Sequence, residues 1–143
     1  MRRVVITGIG IVSSIGSNTE DVKKSLFDCT PGISKAIGYD NLGFKSQVYG
    51  SPNIDLEENI DRKKLRFLAD GSAWAYIASE QAITDAELEE GDVSNERTGL
   101  IVGTGGPSTR AIVKAADQTR DRGAKHVGPF VVPKAMCSIA SAT

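Results

Sequence analysis

Short β-branched apolar runs closed by glycines alternate along this chain with segments whose apolar residues recur every three or four positions, the mark of strands alternating with helices. Val4-Val5-Ile6, ended by Gly8 and Gly10, reads as a strand buried on both faces of a parallel sheet. Ser17 stands three residues before Glu20, a capping-box spacing, and Val22, Leu26 and Phe27 then share one face of a helix that Thr30-Pro31-Gly32 ends. Residues 33–59 are rich in Gly, Asn, Asp, Ser and Pro and predict a surface excursion, with strand-like alternation only over 44–50. A long helix is predicted from Asp61 to Thr84, carrying Leu65, Leu68, Ala69, Ala73, Ile77 and Ala78, with Trp74 and Tyr76 partly packed. Residues 98–103 form a second buried-type strand, closed by Thr104-Gly105-Gly106-Pro107. Ser108 caps a helix with Ala111, Ile112, Ala115 and Ala116 on its apolar side, ending at Arg120, Arg122 and Gly123. Val131-Val132-Pro133 opens a last helix that runs through Met136, Cys137, Ile139 and Ala142 to Thr143 without a stop signal.

The fold class is therefore α/β, but two strands against four helices leave a parallel sheet short of neighbours to satisfy its backbone groups. A chain that halts inside an apolar helix adds to the expectation that residues 1–143 are an incomplete unit that does not fold stably alone. At 40% hydrophobic and 24% charged, the composition is that of a globular protein rather than a disordered one. Seventeen Lys plus Arg against 18 Asp plus Glu leave a net charge of −1, which argues against nucleic acid as a partner. No apolar run approaches the roughly 18 residues of a membrane helix, so no membrane partner is expected either. Cys29 and Cys137 lie too far apart for metal-ligand spacing, and free thiols in a reducing cytoplasm are expected, with no metal.

The opening strand and glycines invite a dinucleotide-binding interpretation, and an NAD(P)-dependent oxidoreductase is one alternative. The spacing does not comply. After Gly8 and Gly10 the third fingerprint position is Ser13, and Gly16 comes three residues too late. None of Tyr39, Tyr49 and Tyr76 has Lys four residues on, as a short-chain dehydrogenase would require. Gly8 and Gly10 are better read as tight-turn and close-packing residues.

Four blocks point elsewhere. The stretch from Val4 to Gly16, Asp61 to Phe67 followed by Ala82 to Ala86, Gly99 to Gly106, and Val127 to Met136 together resemble the β-ketoacyl-acyl carrier protein synthases, condensing enzymes with the thiolase fold. The last block has the form typical of the family's type I branch. They match only about the first third of such a protein. The resemblance implies the first part of a thiolase-like layered α/β/α/β/α fold, a chain cut before the nucleophile region, a homodimer, no cofactor, and acyl carrier protein as partner. It also implies decarboxylative Claisen condensation, with a catalytic Cys and two His placed beyond Thr143 and no catalytic residue in this chain. A catalytically silent partner subunit of a condensing enzyme is the other alternative.

Within this chain the resemblance assigns Gly106, Ile112 and Met136 to an acyl pocket, the latter two offered to the dimer partner, and Arg62, Lys63, Arg66, Arg122 and Lys125 to carrier-protein docking. The residues themselves give partial support. Cations in the first turns of a helix oppose the macrodipole, which an acidic partner would offset, while an ordinary solvated face explains them equally well. Met136 and Ile112 also fit plain core positions. Cys137 reads as a small buried apolar residue, Cys29 as structural, and the lone His126 as a loop residue without a base partner.

Overall fold

In the computed structural model, which describes residues 3–142, the core is organised around one helix. The order is α1 (Thr19–Phe27), β1 (Ser34–Lys35), β2 (Val48–Tyr49), α2 (Leu56–Asn59), α3 (Arg62–Leu65), α4 (Asp70–Asp85) and α5 (Glu90–Val93), then α6 (Thr109–Arg122), a 3-10 turn (Ala124–His126), α7 (Val131–Ala135) and α8 (Ile139–Ala142). Ala73 and Ile77 of α4 pack with Ile60 and Leu68, and Val12, Leu56, Leu65, Tyr76 and Ile139 close around them. α6 in turn packs on the 3-10 turn and α7.

The expected helix from 61 to 84 is broken in two. Its first turn is α3, and the chain turns at Phe67 to Ala69 before α4 begins. The Ser72 hydroxyl explains the restart, since it accepts from the Ala69 N–H at 2.9 Å and donates to the Ala69 carbonyl at 2.8 Å. That satisfies an N-terminal group that a continuous helix would have paired internally. The macrodipole argument for the basic cluster weakens with it, because a helix of one turn sums too few peptide dipoles to oppose four cations.

Smaller shifts have equally local causes. α1 is capped by Asn18 rather than Ser17: Asn18 Oδ1 accepts from the Asp21 N–H at 2.9 Å, while Ser17 Oγ reaches the Asn53 carbonyl. Of the apolar face expected on α1, Val22 is buried and Leu26 and Phe27 are exposed. The strand expected over 44–50 shrinks to β2, paired antiparallel with β1 as the one sheet among the described residues. The last helix divides at Met136, whose backbone turns to φ −90°, ψ 133°; Thr143 lies outside the described residues. Ser108 caps α6 as expected, accepting from the Ala111 N–H at 3.2 Å.

Neither run read as a buried strand forms one among the described residues. Val4 is 91% and Ile101 96% exposed, and the runs around them make no ladder. The reason is physical: a strand, unlike a helix, cannot satisfy its own backbone, and no strand among residues 3–142 pairs with either run.

The glycines of the opening run are held against α4. Ile9 N–H donates to Asp85 Oδ2 at 2.9 Å, Ile11 N–H to Gln81 Oε1 at 3.0 Å, and Gln81 Nε2 to the Ser17 carbonyl at 2.7 Å. A Cβ on Gly8 would stand 2.2 Å from the Ala82 carbonyl oxygen, and one on Gly10 1.7 Å from that of Ala78. Gly8 and Gly10 are therefore close-packing residues, turned to the flank of a helix and not to a helix N-terminus where a pyrophosphate would sit.

Candidate functional site

Of the pocket and docking residues singled out in the sequence, two adjoining clefts take in Gly106, Met136 and Arg66, while Ile112, Arg62, Lys63, Arg122 and Lys125 line neither. The first, of about 390 Å³, opens between the start of α4, the turn before α6 and the break between α7 and α8, with Trp74, Val102, Thr104, Gly106, Met136 and Cys137 in its walls. Gly106 and Met136 thus share one cavity. Ile112 is not among its lining residues, and on α6 it is 44% exposed. Thr104 Oγ1 donates to the Gly106 carbonyl at 2.9 Å, which pins the glycine turn. A Cβ on Gly106 would project into open space, so packing within this chain does not demand glycine there.

Cys137 corrects its expectation. It sits outside both helices, at the break, and is exposed. Division of the helix at Met136 removes it from the apolar face it would otherwise occupy. Cys29 is also a free, exposed thiol, two residues past the end of α1 and just beyond its C-cap Asp28, with φ 52°, in the left-handed position that usually terminates a helix. His126 is exposed, its Nδ1 turned to the Arg122 carbonyl oxygen. Among the described residues no group of three or more His, Cys, Asp or Glu could hold a metal ion, and no helix is long and apolar enough to cross a membrane.

The second cleft, of about 400 Å³, lies between the end of α3, α6 and α7, with Arg66, Lys114, Gln118, Phe130 and Lys134 in its walls. At its junction with the first cleft Arg110 meets Asp70 at 2.6 Å; both are well exposed, so the pair contributes only about 0–1 kcal/mol.

The basic residues divide by what they touch. Arg62 and Lys63 open α3 and are exposed, with the Lys63 N–H donating to Asp61 Oδ1 at 2.7 Å. The Arg66 guanidinium stands 5.5 Å from the centre of the Phe130 ring, which meets Phe67 edge to face at 5.1 Å. Arg122 ends α6 and Lys125 lies in the 3-10 turn, both exposed. None of these five cations forms an ion pair among the described residues.

Lys64 behaves differently. Its Nζ donates to Tyr76 Oη at 2.8 Å and lies 4.8 Å from the ring centre. The hydrogen bond from the ammonium to Tyr76 is the main reason its pKa is raised above the ordinary 10.5. The folded state therefore holds this proton more tightly than the unfolded one. Any stability the contact contributes is fully present below pH 10.5 and is lost as pH rises through the raised folded value. Tyr76→Phe is expected to return the Lys64 pKa toward 10.5 in an Nζ-detected titration. An unchanged titration would mean that the contact does not form in solution.

Sequence reasoning missed Phe130 as the aromatic support of Arg66, because residues with α4, α5, α6 and the 3-10 turn between them give no periodic signal. It also missed Gln81 and Asp85 as the groups that hold the glycine segment. Their spacing of four, on the helix that carries Ala78, Ala82 and Ala86, is the signal that could have found them.

Residues 1–143, the whole chain, match the model of the β-ketoacyl synthase N-terminal domain. The chain belongs to this family. This β-ketoacyl synthase N-terminal domain is 48% identical over 144 residues to 3-oxoacyl-(acyl-carrier-protein) synthase 1 of Escherichia coli, covering 99% of the chain and 36% of that relative. It is 45% identical over 143 residues to the protein of the same name from Haemophilus influenzae, covering 99% and 35%. Among solved structures, the ishigamide ketosynthase/chain length factor superposes with a TM-score of 0.85 at 25% identity, over 99% of this chain and 36% of that one. A β-ketoacyl synthase from Burkholderia phymatum follows with a TM-score of 0.80 at 26% identity, over the same shares. The β-ketoacyl synthase domain described here thus spans about a third of the length of the relatives it matches, and the α/β fold expected from the sequence is that of the ketosynthases.

Proposed function

We propose that the complete gene product is a condensing acyltransferase of fatty-acid synthesis, of the type I branch, acting on acyl carrier protein in the cytoplasm as a homodimer. The observation that carries this is the 48% identity to a 3-oxoacyl-(acyl-carrier-protein) synthase 1 along 99% of the chain. In the proposed reaction an acyl group passes from its carrier to a cysteine thiolate. Malonyl-carrier protein then loses carbon dioxide, and the resulting carbanion forms a carbon–carbon bond with the acyl carbon while the carbon–sulfur bond to the enzyme breaks.

This chain supplies binding rather than chemistry. Among the described residues neither Cys29 nor Cys137 has a histidine or carboxylate hydrogen-bonded to its thiol, and the Nδ1 of the single histidine is turned to the Arg122 carbonyl oxygen. The first cleft is assigned to the acyl chain, with Gly106 and with Met136 of the same chain rather than of a dimer partner as the resemblance implies, since a flexible thioether accommodates chains of different length. Ile112, exposed on α6 outside that cleft, is assigned to the pocket of a second copy. Arg62, Lys63, Arg66, Arg122 and Lys125, exposed and without carboxylate partners, are assigned to the acidic carrier. The combined change Lys63→Glu with Arg66→Glu is expected to weaken carrier binding at least about tenfold at low salt, with the loss shrinking as salt rises. Unchanged affinity would reduce the patch to ordinary surface.

The likeness to a ketosynthase/chain length factor supports a second reading, a catalytically silent partner subunit. Incubation of the complete gene product with acyl-carrier protein separates the two. An intact-mass increase of one acyl group, blocked by prior thiol alkylation, supports the condensing enzyme, and no acyl transfer supports the silent subunit.

A further inference from the structure

We infer that Phe130 is a positioning residue for carrier docking: its ring holds the Arg66 guanidinium and joins the two segments that carry the basic residues into one surface. The inference rests on the docking assignment above and adds a residue to it. The cations come from separate places, Arg62, Lys63 and Arg66 around α3 and Arg122 and Lys125 at the end of α6 and in the turn after it. α6 packs on that turn and on α7, and Phe130 is the residue that caps α7. Phe130 therefore belongs structurally to the second group, while its ring touches the first through Arg66 at 5.5 Å and Phe67 at 5.1 Å. The edge-to-face geometry with Phe67 fixes the plane of the Phe130 ring, so that a π face is presented to the guanidinium.

The electrostatics favour this arrangement. Arg66 shares its cleft wall with Lys114 and Lys134 and has no carboxylate partner among the described residues. An exposed arginine with no such partner samples many rotamers, and ordering it on binding costs affinity. The ring supplies a directional attraction without neutralising the charge, which an aspartate partner would do. Lys64, by contrast, is turned back onto Tyr76, so the cations of the α3 region differ in availability by which aromatic they meet.

The test measures carrier-protein affinity of the complete gene product. Phe130→Leu is expected to weaken binding about two- to five-fold, the size of one exposed cation–π contact, and Phe130→Tyr to preserve it. Arg66→Ala should also weaken binding, and in the double variant Phe130→Leu should add little to that loss. Ring fluorination of Phe130 keeps its shape but drains the π face, so affinity should fall stepwise with fluorine count at an unchanged melting temperature. This serves also if Phe130→Leu does not fold. Loss of affinity in Arg66→Ala but none on fluorination would overturn the role of Phe130 and leave docking intact. No loss in Arg66→Ala or in the charge-reversed protein would overturn the docking assignment itself.

Discussion

Residues 1–143 expressed alone will show no cooperative unfolding transition. The exposed surface of the chain is 11235 Å², whereas a folded monomer of its 15.2 kDa should expose only about 7,100 Å². The difference is large and apolar in character. Val4, Ile6, Leu100 and Ile101 stand in water, and no large side chain among the described residues is fully buried. Fixing about 140 backbones costs on the order of 1–2 kcal/mol each, and a core of Ile60, Leu68, Ala73 and Ile77 is too small to offset that. Thermal and urea scans of the isolated segment should give broad, probe-dependent curves with strong binding of a hydrophobic dye. A sharp, coincident two-state transition with protected amides in residues 4–6 and 98–103 would contradict this account.

Gly10→Ala, made in the complete gene product, is expected to remove about 3 kcal/mol of stability or prevent folding. The added carbon would fall 1.7 Å from the Ala78 carbonyl oxygen, 2.7 Å from its carbonyl carbon and 2.8 Å from the Ala82 nitrogen. All three are backbone atoms of α4, so no side chain can rotate away, and separating the segment from the helix would break the bonds from Ile9 to Asp85 and from Ile11 to Gln81. Gly8→Ala, meeting the Ala82 carbonyl at 2.2 Å, should behave similarly. Gly71→Ala is the control: space is open there, and a helical alanine should be neutral or slightly stabilising. Chemical denaturation of the three variants checks this, and a Gly10→Ala protein as stable as its parent would show that the segment does not lie on α4.

The docking of Gly8 and Gly10 also shows how far the sequence could be read. Two residues of extended chain advance about 6.6 Å and four residues of helix about 6.0 Å, so glycines two apart can match Ala78, Ala82 and Ala86 four apart. That correspondence links segments some 70 residues apart in sequence and is visible only once both are placed. The helices were legible because their hydrogen bonds are local: α6 begins where Ser108 said it would, and the apolar spacing around Ala73 and Ile77 marked the core. The break at Ala69 was not, since Ser72 is an unremarkable helical residue until its hydroxyl takes both backbone groups of Ala69. The strands were legible as β-type runs, but a run becomes a strand only beside a partner. At the site, Gly106 and Met136 come to one cleft from opposite ends of the segment that holds α6 and α7, and Phe130 meets Arg66, both through three-dimensional packing that no local spacing encodes.

The central proposal is that the complete gene product carries out the condensation and that this β-ketoacyl synthase domain contributes binding surface to it. The decisive measurement is product formation from acyl- and malonyl-carrier protein by the complete gene product and by residues 1–143 side by side, read by mass spectrometry of the carrier. The account predicts 3-oxoacyl-carrier protein and carbon dioxide from the complete protein and neither from the 143-residue chain. Condensation by the short chain, or none by the complete protein under conditions where carrier binding is demonstrated, would contradict it.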